Sequence, residues 1–168
     1  MKAALDTSAF IYLNDFRKFD EILTVQEVVN EVKDKVSSMK LSGLNFRIVE
    51  PSDNSIKEIK KIAKETGDLE KLSKTDIKIL ALAKENNCTI ISDDRCIQNV
   101  AERLEIQYVS VFNQKITSLI TWKKYCRSCK KFYDGKDICP VCGSKLVRTP
   151  SKSEKVYTSK TLYAKKMK

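Results

Sequence analysis

Four cysteines in the last quarter of the chain have types and spacing that could bind a metal. They form two pairs, each with the spacing Cys-x-x-Cys and nine residues apart, at Cys126, Cys129, Cys139 and Cys142. Two such pairs can fold onto one another and surround one Zn²⁺ with four thiolates. Gly143 follows the second pair, where a residue without a Cβ lets backbone N–H groups turn toward sulfur, and Lys130 stands in the equivalent place after the first. The spacing predicts one structural zinc site.

The sequence contains no histidine. This absence excludes a ribonuclease that uses paired imidazoles, any catalytic triad with histidine, and any zinc site with imidazole ligands. The chemistry must therefore rest on carboxylates, metals, lysine, tyrosine or hydroxyl groups.

Two acidic positions lie where an α/β sheet gathers reactive groups. Asp6 ends the first apolar strand, and Asp93 and Asp94 follow the apolar strand predicted at 88–92. In an open parallel sheet, reactive groups lie just beyond the carboxyl ends of the strands. Carboxylates brought together there repel one another unless divalent cations neutralise them, and such oxygen-rich sites suit Mg²⁺ or Mn²⁺.

Two further acids, Glu31 and Asp76, lie on predicted helices. Each acid also has an ordinary structural interpretation. Asp76 could complete a capping box, Glu31 could pair with Lys35, Asp6 could cap a helix, and the 93–94 pair could form a turn. In a parallel sheet these acids would all face the same edge, and this favours a common site.

Strands and helices must alternate along residues 1–113 to position these acids. Thr24 and Glu27 are predicted to form a capping box that opens a helix, and Ser73 to open another that ends near Asn87. Further helices are predicted after Asp6, before Gly67 and around 97–104. Apolar strands are predicted at 3–5, 47–49, 88–92 and 107–111. Inner strands that are apolar throughout predict a mostly parallel sheet covered on both faces.

Charge divides the chain into two parts. Residues 1–113 carry 17 Lys/Arg and 19 Asp/Glu, or −2, and residues 114–168 carry 15 Lys/Arg and 3 Asp/Glu, or +12. We expect a body at 1–113, a linker at 114–124 with helical character, a zinc ribbon at 125–148 and a basic, disordered tail at 149–168. The concentration of positive charge favours a nucleic acid partner over a tail that only aids solubility.

No apolar run approaches the roughly 20 residues that a membrane span needs, and the N-terminus lacks the features of a signal peptide. We therefore expect a cytoplasmic protein without a membrane partner. In that reducing compartment Cys-x-x-Cys pairs more often hold metal than form disulfides, and Cys88 and Cys96 are expected to be small core residues.

The motifs around the acids resemble those of PIN-domain ribonucleases. They are Leu5-Asp6-Thr7-Ser8, Glu31 within residues 24–32, Asp76 within residues 72–76, and Ser92-Asp93-Asp94. The order of PIN domain, linker and zinc ribbon resembles the NIN-one-binding (Nob) family, archaeal type, over residues 1–148. The resemblance implies an α/β fold in which a PIN-like (Rossmann-like) parallel sheet is flanked by helices and followed by a small zinc ribbon with four cysteine ligands.

The resemblance also implies a function and a site. A carboxylate quartet of Asp6, Glu31, Asp76 and either Asp94 or Asp93 would hold one or two Mn²⁺ or Mg²⁺ ions, with hydroxyl support from Thr7, Ser8 and Ser92. The function would be endonucleolytic maturation of the 3′ end of precursor small-subunit rRNA, with the pre-small ribosomal subunit and other assembly factors as partners. RNA contacts are expected from basic residues of the second part: Lys123, Lys124, Arg127, Lys130, Lys131, Lys145 and Arg148.

Two other functions fit part of the pattern. A PIN toxin ribonuclease of the VapC kind would share the quartet but normally lacks a zinc ribbon. A non-catalytic rRNA-binding assembly factor would keep the basic module and have an inactive acidic pocket.

Overall fold

The computed structural model describes residues 1–35, 43–112 and 115–156. The alternative pairing of Glu31 with the Lys35 side chain, and the disorder predicted for residues 157–168, lie outside the described part of the structure. The body contains strands β1 (Lys2–Leu5), β2 (Glu21–Thr24), β3 (Arg47–Ile48), β4 (Thr89–Ile91) and β5 (Tyr108–Val109). Its helices are α1 (Thr7–Tyr12), α2 (Gln26–Lys35), α3 (Asp53–Thr66), α4 (Lys74–Asn86) and α5 (Arg95–Arg103).

The five body strands form one parallel sheet in the order β3-β2-β1-β4-β5. The central strands are buried, as their continuous apolar sequences predicted: Ala3, Ala4 and Leu5 are fully buried, and so is Ile90. Helix α4 is also buried along most of its length, from Ile77 to Ala83. The α/β fold class predicted from the sequence is confirmed.

The predicted capping box at Thr24 and Glu27 is wrong. Thr24 is the last residue of β2, where it is fully buried and its hydroxyl donates a 2.9 Å hydrogen bond to the Leu5 carbonyl. Glu27 instead forms an ion pair with Lys78 of α4. Strand β2 ends at Thr24 and leads directly into α2, so Thr24 and Glu27 have the Thr-x-x-Glu spacing of a capping box. Strand β2 was not predicted because this spacing was interpreted as a helix start.

The second sheet is antiparallel, with the order β7-β6-β8. It consists of β6 (Ser118–Cys126), β7 (Lys131–Tyr133) and β8 (Val147–Lys155). The helical character predicted for the linker is therefore wrong from residue 118 onward, and the disorder predicted for the tail is wrong for residues 149–155. The polar sequence of β8 resembles that of a disordered segment because most of its residues are exposed while its backbone pairs with β6.

Polar side chains fasten β6 and β8 to the body. The Asn99 amide group donates to the Ile120 carbonyl and accepts from the Ile120 N–H, both at 2.8 Å. The Arg148 guanidinium donates a 2.6 Å hydrogen bond to the buried Asp68 carboxylate and lies 4.0 Å from the centre of the Trp122 ring. The second sheet is thereby joined to the body through partly buried hydrogen bonds.

Gly67, the left-handed C-cap of α3, lies against the backbone of β6 at Trp122. A Cβ at this position would lie 2.2 Å from the Trp122 carbonyl oxygen, a distance that backbone atoms cannot relieve locally. Glycine is therefore required at this position for two reasons, the positive φ of 75° and the close contact with Trp122.

We expect Arg148→Ala to destabilise the protein by about 3–5 kcal/mol, because it leaves the Asp68 carboxylate buried with uncharged side-chain partners, the Asn99 amide and the Cys96 thiol. Urea unfolding followed by circular dichroism would measure the loss. Lys152→Ala is the matched control: this side chain is 69% exposed and paired with Glu154, so its removal should change stability by less than about 0.5 kcal/mol. Equal stabilities of the two variants would contradict the structural role of Arg148.

Within the described residues, none of the helices combines the length and apolar character needed to cross a bilayer.

Candidate active site and metal centre

Asp6 and Asp94 follow adjacent strands. Leu5 of β1 is paired with Ile91 of β4, and the Asp6 N–H donates to the Ile91 carbonyl at 3.4 Å. Each acid is also the N-cap of the helix that follows, Asp6 for α1 and Asp94 for α5. The strand register and two helix starts therefore fix both carboxylates at the carboxyl edge of the sheet.

The Ser92 hydroxyl joins these two positions. It donates to the Asp6 carboxylate and accepts a 3.1 Å hydrogen bond from the Asp94 N–H. Asp6 Oδ1 also accepts from the Ser8 hydroxyl at 2.8 Å and from the Ala9 N–H at 2.7 Å. The Asp6 side chain, 8% exposed, is thus held in one orientation from several directions.

Glu31 of α2 is held by two threonines, one beside each of two other acids. Thr7, which follows Asp6, donates to Oε2 at 2.6 Å, and Thr75, which precedes Asp76, donates to Oε1 at 3.1 Å. Glu31 therefore lies between the start of α1 and the start of α4. Thr75 was not predicted, although its place next to Asp76 matches that of Thr7 next to Asp6 and could have indicated it.

Asp76 forms the capping box predicted with Ser73. Its Oδ2 accepts from the Ser73 N–H at 2.7 Å, and its own N–H donates to the Ser73 hydroxyl at 3.1 Å. Burial raises the pKa of Asp76 above its ordinary value, and repulsion from Asp94 and Glu31 acts in the same direction. The capping box at the start of α4 therefore lies close to Asp94 and Glu31.

Burial is also the main reason why the pKa of Asp6 is raised, and repulsion from Asp76 adds to it, while hydrogen bonds from Ser92, Ala9 and Ser8 partly oppose the increase. Asp6, Asp94 and Glu31 thus all lie close enough to Asp76 for their charges to repel. Carboxylate oxygens oriented by hydroxyl groups are the kind of ligand that divalent cations prefer.

Asp93 has a different environment. Its Oδ1 accepts from the Ser110 hydroxyl and, at 3.1 Å, from the Phe112 N–H, so it secures the chain that leaves β5. Its Oδ2 is buried without a hydrogen-bond partner among the described residues. Of the two adjacent acids, Asp94 is the one whose charge acts on Asp76.

We expect Mn²⁺ to raise the melting temperature more at neutral than at mildly acidic pH. Cation binding requires ionised carboxylates, and the raised pKa values of Asp6 and Asp76 mean that both take up protons sooner as the pH falls. Without metal, the stability of the protein should depend on pH in the opposite direction. Folding raises the pKa of Asp6 and of Asp76, so the folded state binds protons more tightly than the unfolded state. The contribution of these two carboxyl groups to stability therefore increases as the pH falls through the raised pKa values. Thermal melts with and without Mn²⁺ across this pH range measure both slopes. An Mn²⁺ effect that is unchanged in Asp6→Asn would contradict the assignment.

The four cysteine sulfurs lie within 4.8 Å of one another. The Cys126 and Cys142 sulfurs are 3.5 Å apart, and those of Cys129 and Cys139 are 3.8 Å apart. Sulfurs placed about 2.3 Å from a central Zn²⁺ in a tetrahedron are about 3.8 Å from one another, whereas bonded sulfurs lie about 2.05 Å apart. The cluster therefore has the dimensions of a four-thiolate metal site.

Backbone groups around Cys139 favour its thiolate. Burial opposes ionisation of Cys139, but several hydrogen bonds, of which those from the N–H groups of Cys142 and Val141 are the strongest, together hold the pKa of Cys139 at about 6. Gly143 and Lys130 both have positive φ, 71° and 54°, so the two Cys-x-x-Cys turns share one backbone form despite their different residues. Lys130 therefore adopts the left-handed backbone conformation, which is unfavourable for a residue with a Cβ.

The basic residues predicted to bind RNA fall into two groups. Lys123, Lys124 and Arg148 form ion pairs within the protein, with Asp134, with Glu70 and Asp137, and with Asp68 respectively. The others are exposed on the metal-binding end of the second sheet: Arg127, Lys130, Lys131 and Lys145.

Comparison with known proteins places this arrangement in a family. The family described as "PIN domain of ribonuclease" matches residues 4–85. "Endoribonuclease Nob1" of Archaeoglobus fulgidus is 40% identical over 142 residues, which cover 82% of this chain and 85% of that protein. "Endoribonuclease Nob1" of Pyrococcus abyssi is 36% identical and covers 89% of this chain and 94% of that protein. The chain belongs to the Nob1 endoribonuclease family. It is accordingly an endoribonuclease with a PIN domain, and its cysteine cluster fits the zinc ribbon predicted from the sequence.

The chain is also similar to a ribonuclease that carries a different family name. "Ribonuclease VapC1" of Thermoplasma acidophilum is 33% identical over 147 residues, which cover 86% of this chain and 76% of that protein.

Proposed function

We propose that this endoribonuclease cleaves precursor small-subunit rRNA to form its mature 3′ end during ribosome assembly in the cytoplasm. Its partners would be the pre-small ribosomal subunit and other assembly factors. The observation that carries the proposal is the joining of a four-carboxylate pocket to a basic sheet through the Asn99 and Arg148 contacts. Such a molecule suits a large structured RNA that is bound by the basic sheet at one place and cut by the body at another.

Asp6, Glu31, Asp76 and Asp94 would hold one or two Mn²⁺ or Mg²⁺ ions. A bound cation of this kind activates water as a nucleophile and stabilises the departing 3′ oxygen of a phosphodiester. Thr7, Thr75 and Ser92 orient the carboxylates by the hydrogen bonds already described, and Asp93 secures the neighbouring strand exit. The products would carry 5′-phosphate and 3′-hydroxyl ends.

The exposed basic residues of the second sheet would contact phosphates, and Zn²⁺ held by Cys126, Cys129, Cys139 and Cys142 would keep them in place. Lys123 and Lys124 would act there through exchange of their present ion pairs with exposed acids, whereas Arg148 would stay paired with the buried Asp68 carboxylate. Each neutralised phosphate adds roughly −0.7 to −0.9 to the slope of log affinity against log salt, so binding should depend strongly on salt.

The decisive experiment incubates the purified protein with a small-subunit rRNA 3′ precursor, with and without Mn²⁺, and maps the product ends. We expect metal-dependent cleavage at the mature 3′ end. Products with a 2′,3′-cyclic phosphate would contradict the proposed chemistry. Metal-dependent cleavage of unrelated RNAs with no preference for the precursor would contradict the substrate and leave the chemistry intact.

The similarity to "Ribonuclease VapC1" favours a second candidate, a toxin ribonuclease restrained by an antitoxin. Expression of the chain alone would then arrest growth, and co-expression of a neighbouring gene product would relieve the arrest. Normal growth with the active enzyme would exclude this candidate.

A further inference from the structure

Two aromatic side chains are exposed in contact with each other on the body. Tyr12 is 53% exposed and Phe112 is 54% exposed, and their ring centres are 5.2 Å apart with the planes inclined by 58°. The pair is tilted rather than stacked, so ring surface remains open to solvent. Apolar surface left exposed in this way often marks a binding site.

This aromatic pair, Tyr12 and Phe112, flanks the acidic pocket. Tyr12 ends helix α1, which begins directly after Asp6, so the helical rise separates the two residues by about 9 Å. Phe112 follows β5, the neighbour of β4, and its N–H is bound by Asp93, the residue before Asp94. Phe112 therefore lies at the same edge of the sheet as Asp6 and Asp94, and Tyr12 lies against it.

The pair borders a groove of about 400 Å³ that also includes Lys18 and Asp15. The Asp15 carboxylate accepts a 3.0 Å hydrogen bond from the Arg17 guanidinium, which offsets its charge. The groove thus offers an aromatic surface with an ammonium group at its side, a combination that suits a base and its phosphate.

We propose that the aromatic pair is a stacking platform for an unpaired base of the RNA substrate, next to the phosphodiester that is cut, with Lys18 facing an adjacent phosphate. This inference deepens the proposed function and rests on the same acidic site. It assigns how the RNA is held beside the cut: by stacking of one base on these two rings and not by base identity, because every base has a face that stacks.

The test uses the full-length protein with Asp6→Asn, which prevents cleavage, and a single-stranded RNA of generic sequence, kept so short that it binds in one register, with the fluorescent base 2-aminopurine at successive positions. Phe112→Leu keeps apolar volume and removes the ring, whereas Phe112→Tyr keeps the ring. We expect the fluorescence to be quenched at one or two adjacent positions. Phe112→Leu should weaken binding roughly 5- to 100-fold and Phe112→Tyr should preserve it. Equal melting temperatures of the two variants would show that both are folded.

An abasic nucleotide supplies the matched control on the RNA side. If the base stacks on this pair, an RNA that is abasic at the quenched position should bind Phe112→Leu and the Phe112 protein equally. Equal affinity of Phe112→Leu for the intact RNA would overturn the proposal. So would sedimentation showing that Phe112→Leu converts a dimer to a monomer, because the pair would then be an interface between two copies of the chain.

The choice of generic RNA separates this proposal from the proposed function. Quenching without cleavage of the rRNA precursor would support the platform and count against the substrate assigned above. Cleavage of the precursor without any effect of Phe112→Leu would support the substrate and overturn the platform.

Discussion

Asp6→Asn should lower the rate of RNA cleavage by roughly three orders of magnitude while the protein stays folded. Asn caps a helix about as well as Asp, and its amide oxygen can still accept from the Ser8 hydroxyl and the Ala9 N–H. The substitution therefore removes charge and cation affinity but keeps the start of α1. Because Asp6 is a desolvated carboxylate repelled by Asp76, the metal-free variant should also be more stable than the parent at neutral pH.

Single-turnover cleavage of a labelled RNA measures the loss, and filter binding measures affinity, which should be equal or higher because a negative charge is removed. Asp53→Asn is the matched control, since Asp53 is an exposed acid in the first turn of α3. It should cleave at the parental rate. Comparable rates for the Asp6 and Asp53 variants would remove Asp6 from the proposed mechanism.

Chelation of the metal should unfold the metal-binding end of the second sheet and leave the body folded. Binding of a structural Zn²⁺ contributes on the order of 10–16 kcal/mol in zinc-finger peptides, and the small cluster here has little else in its core: Leu146 is its buried apolar side chain besides the cysteines. The far end of β6 should remain in place because Asn99 binds Ile120 and the body surrounds these contacts.

Hydrogen exchange resolved by segment measures this difference, with protection lost across 126–146 and kept in β1 and β4. Cys139→Ser should reproduce the effect of the chelator and weaken RNA binding. Cys96→Ser is the control, because Cys96 lies outside the cluster, and it should retain one Zn²⁺ by elemental analysis. Unchanged protection in the metal-free protein would show that the sheet does not depend on the metal.

The acidic pocket could be predicted from the sequence because it depends on a general property of parallel sheets. Asp6 and Asp94 each follow an apolar strand, and two parallel neighbours must deliver such residues to the same edge. The capping box at Ser73 was predicted for a local reason, since its donors and acceptors lie within four residues. The same local signature failed at Thr24, where the hydroxyl binds Leu5, 19 positions away.

Long-range pairing explains the other errors. Ser118 pairs with Lys155, and Trp122 with Pro150, so the strand character of both segments depends on partners 37 and 28 residues distant. Arg148 appeared to be one more cation in a basic stretch, because nothing near it in the sequence indicates a buried partner at Asp68, 80 residues earlier. The sequence predicts charges, but the fold determines which charges remain available.

Backbone contact between Gly67 and Trp122 leaves no room for a side chain, and Asn99 holds the next part of β6 by two hydrogen bonds. We therefore expect the distance from the four acids to the exposed lysines to stay constant while the metal site is intact. The enzyme would then select a cut by its distance from the RNA feature bound at the lysines and not by the bases around the cut. Inserting one nucleotide between that feature and the cut should then move the cut by one nucleotide.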